Sequence, residues 1–133
     1  PPDKGTAADP AGILALAHDW GATVGSDVVI DASGLGQLIG TDASVPVAMP
    51  APHPITENFR IMTAFPIARS VTPVEGGVSG HTAQKVLETS PQSWAESDVK
   101  GLYSSGRPAR DLTKGDKAGP VSIAVAVSAA GEA

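Results

Sequence analysis

Three histidines (18, 53 and 81), 14 Asp plus Glu and scattered serines are the groups in this chain that could move a proton or attack a carbonyl. Hydrolysis requires an activated hydroxyl, and Ser33 in Asp31-Ala32-Ser33-Gly34, with His53 downstream, is the nearest approach to one. There is no Gly-x-Ser-x-Gly elbow, and a Ser that follows a strand commonly caps the next turn, so capping is the favoured role for Ser33. A Ser/His/Asp hydrolase would need Asp31, Ser33 and His53 within hydrogen-bond reach of one another. No His-x-x-x-His, His-x-His or Asp-x-Asp spacing presents two metal ligands from one element, so no metal is expected. Cysteine is absent, which removes disulfides, thiolate zinc sites, iron–sulfur clusters and a cysteine nucleophile. The residues assign no catalytic group and no cofactor.

Two other constellations could bind. In His53-Pro54-Ile55-Thr56 the proline holds His53 extended at a loop-to-helix junction, where its ring can anchor the loop or face a ligand. Anchoring is favoured, because buried polar side chains mostly satisfy backbone. Trp94 can stack on a sugar or close the core, and the core is favoured on the usual burial of Trp. Gly34-Leu35-Gly36 resembles the start of a dinucleotide fingerprint, but Ile39 stands where the third glycine belongs, so a glycine turn before a short helix is the better reading.

The elements that must position these residues are short. Of 133 residues, 15 are Gly and 12 are Pro, which implies many turns and long irregular stretches. At 41% apolar and 17% charged the chain can bury a core, and its length suits a single soluble domain over residues 1–133. A net charge of −5 without a dense basic cluster argues against a nucleic-acid surface. No apolar run approaches the roughly 20 residues of a membrane span.

Asp9 as N-cap and Pro10 at the first turn predict a helix over 10–20, with Ile13, Leu14, Leu16, Ala17 and Trp20 on one face and Gly21 as the stop. Residues 27–31 read as a strand covered on both faces, and 41–54, with four prolines, as an extended loop. A helical turn over 55–59, a strand over 65–71, a glycine turn at 76–80 and a strand within 84–89 follow. Ser93-Trp94-Ala95-Glu96 fits a capping box ahead of a helix to about Leu102. Residues 103–119 read as mobile, and 121–128 as the clearest strand. The resulting fold class is α/β, a small mixed sheet flanked by helices.

His53-Pro54-Ile55-Thr56, Ala68-Arg69-Ser70-Val71, Leu87-Glu88-Thr89-Ser90 with Ser93-Trp94-Ala95-Glu96, and Gly119-Pro120 ahead of Ile123-Ala124-Val125-Ala126 come in sequence here. In order and approximate spacing they resemble the gliding-motility ABC-transporter auxiliary component family. Helix 10–20 and strand 27–31 resemble the segment preceding those motifs, so the likeness runs from about residue 10 to residue 127.

The resemblance implies a flavodoxin-like or class I glutamine amidotransferase-like domain without enzymatic activity, of which this chain is a C-terminal portion. It also implies an extracytoplasmic or periplasmic location, a parent anchored in the inner membrane, and ABC permease and ATPase subunits as partners. The residues carrying the match are His53, Thr56, Arg69, Trp94 and Glu96, expected to hold the loops at 31–54 and 89–119, with ligand or partner contact as their second role. The chain lacks the family's preceding βαβ portion and its membrane spans. Such a piece could expose a sheet edge and pair with a second copy as a homodimer. The alternative function is a small-molecule or sugar-binding sensor.

Overall fold

The computed structural model describes residues 10–131. Among them the elements run α1 (Ala11–Asp19), β1 (Ala22–Val24), β2 (Val28–Asp31), α2 (Leu35–Leu38), β3 (Val47–Pro50), a 3₁₀ turn (Pro54–Thr56), β4 (Thr63–Ala64) and β5 (Val71–Pro73). They continue with β6 (His81–Glu88), β7 (Ser93–Glu96), α3 (Val99–Ser105), a second 3₁₀ turn (Leu112–Lys114), β8 (Lys117–Ala118) and β9 (Ser122–Ala129). The protein is mostly β, with few helices. Among the described residues every strand pairing is antiparallel, in three sheets of order β1-β5, β2-β7-β8 and β4-β3-β6-β9. The expected single mixed sheet is therefore corrected. Its premise was that β2, buried on both faces, behaves as parallel strands do, whereas β2 pairs antiparallel with β7 and is covered on its two faces by side chains from later in the chain.

Val28-Val29-Ile30 is the centre of the core, with Val29 and Ile30 both fully buried. Side chains alternate across a strand, so Val28 and Ile30 join Trp94 on one face, where Ala43, Val99 and Leu102 pack. Val29 joins Ala95 and Val121 on the other, against Ala68 and Ile123. Each fully buried Val or Ile contributes about 1.5–3 kcal/mol relative to exposure.

The capping box expected at 93–96 is instead strand β7, buried along its whole length and in register with β2 (Ile30 opposite Trp94). The helix starts later, where Asp98 Oδ1 accepts the Gly101 N–H at 2.9 Å, and ends at Gly106 in the left-handed region. Helix α1 forms where expected, and the Asp9 expected to cap it lies outside the described residues. Its apolar stripe stays open, however, for Ile13, Leu16 and Trp20 are all exposed. Gly21 ends α1 at φ +83, and a Cβ there would lie 3.1 Å from the His81 carbonyl oxygen.

The loop expected over 41–54 contains β3, and the strand expected over 65–71 is broken. Phe65 and Ile67 donate to the carbonyls of Pro46 and Ser44, while Ala68 and Ser70 accept from Val29 and Gly25. Ile67 turns through φ +53, so the segment crosses from one sheet to the next. Strand β6 is longer than expected and β9 covers the predicted stretch, the two pairing from His81–Ala129 to Glu88–Ser122. The stretch 103–119 carries the end of α3, a 3₁₀ turn and β8. Among the described residues β9 has no strand beyond it.

Candidate functional site

β2 ends on Asp31, 4% exposed, and the chain turns at once through Ser33-Gly34 into the single turn of α2. Asp31 Oδ1 accepts the Ser33 N–H at 3.0 Å and the Ser90 hydroxyl at 2.7 Å. Its Oδ2 is buried without a hydrogen-bond partner. Burial pushes the Asp31 carboxyl up, but the Ser90 hydroxyl, the Ser33 amide and hydroxyl and the Val47 amide outweigh it and hold the group below its ordinary range. Ser33 Oγ accepts the Leu35 N–H at 3.3 Å, the capping role expected of it.

Gly36 explains the glycine pair better than a phosphate would. A Cβ on it would stand 2.9 Å from both the Asp42 carbonyl oxygen and Thr41 Oγ1. The Thr41 N–H and hydroxyl both donate to the Gly36 carbonyl, at 2.9 and 2.8 Å, so the chain folds back tightly on this residue.

The chain then returns through Asp42-Ala43-Ser44, the same tripeptide type as Asp31-Ala32-Ser33, and it makes the same turn. Asp42 Oδ1 accepts the Ser44 N–H at 2.8 Å and the Ser44 hydroxyl at 2.5 Å. The Ser44 hydroxyl, then its amide, keep the Asp42 carboxyl below the usual range. A pocket of about 210 Å³ lies between the two turns, walled by Asp31, Gly34, Gly36, Gln37, Asp42 and Ala43. Asp42 escaped the sequence reading, although the repeated Asp-x-Ser pattern was the signal that could have found it.

His53 and Thr56 sit together in the first 3₁₀ turn. His53 is extended (φ −161, ψ 148), and its Nδ1 accepts the Ile55 N–H at 3.1 Å. The buried Thr56 hydroxyl faces the Ala51 and His53 carbonyls. These contacts match the anchoring role favoured for His53, in an open cavity of about 500 Å³ shared with Glu57 and Arg60. His53 makes no hydrogen bond with Asp31 or Ser33, so these three are not joined into a relay.

Trp94 and Glu96 meet on one face of β7. The indole Nε1–H donates to Glu96 Oε2 at 3.1 Å, and Glu96 Oε1 accepts the Asp98 N–H at 3.1 Å. Both side chains are buried, so Trp94 closes the core and Glu96 tethers the entry to α3. Arg69 is exposed and makes no hydrogen bond or ion pair among the described residues. The five residues that carried the expected resemblance thus lie in three places, not one.

Other motif residues act as internal connectors. Ser70 donates its N–H and hydroxyl to the two oxygens of buried Asp27, at 2.8 and 2.6 Å. Thr89 and Ser93 bond to each other at 2.5 Å, and the Thr89 hydroxyl takes the Val121 N–H at 3.0 Å. Gly119 donates to the Ser93 carbonyl at 2.8 Å, next to a cis bond to Pro120. Asp116, missed in the sequence, accepts from Ser97 twice and from the Asp111 N–H. Its burial opposes ionisation, but those donors hold its carboxyl low.

Among the described residues no group of three or more His, Asp or Glu is placed to hold a metal ion, and no helix is long and apolar enough to cross a membrane. No family model, curated protein or solved structure matches this chain.

Proposed function

We propose that this protein is a non-catalytic auxiliary subunit of an ABC-type transport system of the gliding-motility kind, acting by contact with its permease and ATPase on the extracytoplasmic face. In this reading the chain is a portion of a flavodoxin-like or amidotransferase-like region of a membrane-anchored parent, with the antiparallel sheets seen here as one part of it. The observation that carries the reading is a run of exposed apolar side chains over residues 49–62, comprising Met49, Ile55 (71% exposed), Phe59, Ile61 and Met62. Isolated exposed apolar residues are ordinary, but a concentration of them marks a surface that meets another molecule. His53 and Thr56, which match the family motif, set the shape of this stretch through the turn described above.

Co-purification tests it. The tagged chain should retain the permease and ATPase subunits encoded with it from detergent-solubilised membranes, and failure to retain them while folded would remove the reading. A hydrolase is a weaker alternative, since the Ser33 and His53 side chains are each engaged in their own turn. A small-molecule sensor has one observation in its favour, the cavities beyond β2.

A further inference from the structure

The segment Asp42–Ala43 is a wall common to two cavities. The polar one, of about 210 Å³, holds Asp31 and Gln37. The other, of about 390 Å³, is chiefly apolar and is lined by Val28, Ile30, Ile67, Leu102 and Tyr103. That size and lining, with a few polar groups at one end, are those of a small-ligand site. We propose that the two adjoining cavities bind an amphipathic cation: a primary ammonium on an aliphatic or aromatic body, with the body in the apolar cavity and the ammonium on Asp42.

Charge selects the ligand. Two carboxylates, Asp31 and Asp42, line the cavities, and no Lys, Arg or His lines either one. Asp42 is fixed through Oδ1 by the two Ser44 donors, while its Oδ2 makes no hydrogen bond or ion pair among the described residues. Asp31, more than nine-tenths buried, lines the polar cavity with an Oδ2 that has no hydrogen-bond partner, and a buried carboxylate oxygen left unpaired is favoured by a cationic donor. Tyr103, 65% exposed, lines the apolar cavity and supplies aromatic surface for the ligand's body. A calcium ion needs six to eight oxygens, which two carboxylates do not supply, and an anion would be repelled. The site does not depend on the transporter reading, and either can fail alone.

The test is an NMR titration of the whole chain with 2-phenylethylammonium and with 2-phenylethanol, its neutral counterpart. The ammonium should give saturating shifts at residues 42–44, 67 and 102–103 and bind at least about tenfold more tightly than the alcohol. Asp42→Asn should abolish that preference while alcohol binding, which reports an intact apolar cavity, persists. Tyr103→Ala, at an exposed position, should weaken both. Phe-Gly-Gly and its N-acetylated form separate the two sources of such a group. Tight binding of the free peptide that acetylation abolishes identifies a chain terminus, and tighter binding of the simple amine identifies a small molecule. Absence of saturation by about 20 mM, a weak limit for so small a probe, overturns the proposal. So does equal affinity for ammonium and alcohol, or an unchanged preference in Asp42→Asn.

Discussion

Replacing Asp31 by Ala or Asn probes the junction that ties the end of β2 to the loop before β7. The carboxylate accepts one backbone and one hydroxyl donor through Oδ1, and each hydrogen bond to a charged group is worth about 1.5–3 kcal/mol. Against this stands Oδ2, desolvated without a partner, which costs about 1–3 kcal/mol. The balance predicts a loss of about 2 kcal/mol for Asp31→Ala, which strands both donors. Asp31→Asn should lose less, about 1 kcal/mol, since its amide oxygen still accepts.

The pH dependence separates the charge from the packing. The folded carboxyl lies below its ordinary value of 3.8, so its contribution is complete above the unfolded value of about 3.9 and is lost as pH falls through the folded value. Urea titrations followed by the fluorescence of the buried Trp94 should therefore show a gap between wild type and Asp31→Asn that is full at pH 7 and shrinks below about pH 4. A gap of zero at pH 7, or one that grows on acidification, would refute the reasoning.

Three further outcomes follow from the geometry. Ile30→Ala, at a fully buried position flanked by Trp94 and Val28, should cost about 2–5 kcal/mol in chemical denaturation. Gly36→Ala puts a methyl 2.9 Å from the Asp42 carbonyl oxygen; it should cost about 1–3 kcal/mol and perturb the amide signals of residues 41–44. His53→Ala removes the acceptor for the Ile55 N–H; it should speed amide exchange at Ile55 and lower global stability by no more than about 1 kcal/mol.

Elements specified by neighbours in sequence were legible in it. Helix α1, strand β2, the His53 turn, the glycine turn before α2 and strand β9 each carry their own local signal in periodicity, a proline or a cap. What was not legible depends on partners far away. Ser93-Trp94-Ala95-Glu96 satisfies the spacing of a capping box, and the pairing that makes it a strand comes from Val28–Asp31, more than sixty residues earlier. No local pattern encodes that choice. The antiparallel sense of the sheets was hidden for the same reason, as was the crossing of 65–71 between sheets, which depends on Ile67 in the left-handed region. Of the candidate residues, Trp94 as core and Ser33 as cap were legible from residue type, whereas Asp42 was obscured by its exposed, proline-rich surroundings.

The central claim, that this protein works by contact with a transporter partner through residues 49–62, is tested most directly by co-purification with Ile55→Glu beside the wild type. Ile55 is solvent-facing, so the variant should fold as the wild type does. The account predicts that the wild-type chain retains the permease and ATPase subunits and that Ile55→Glu releases them. Retention of both subunits by Ile55→Glu at the wild-type level, or by neither protein, would contradict it.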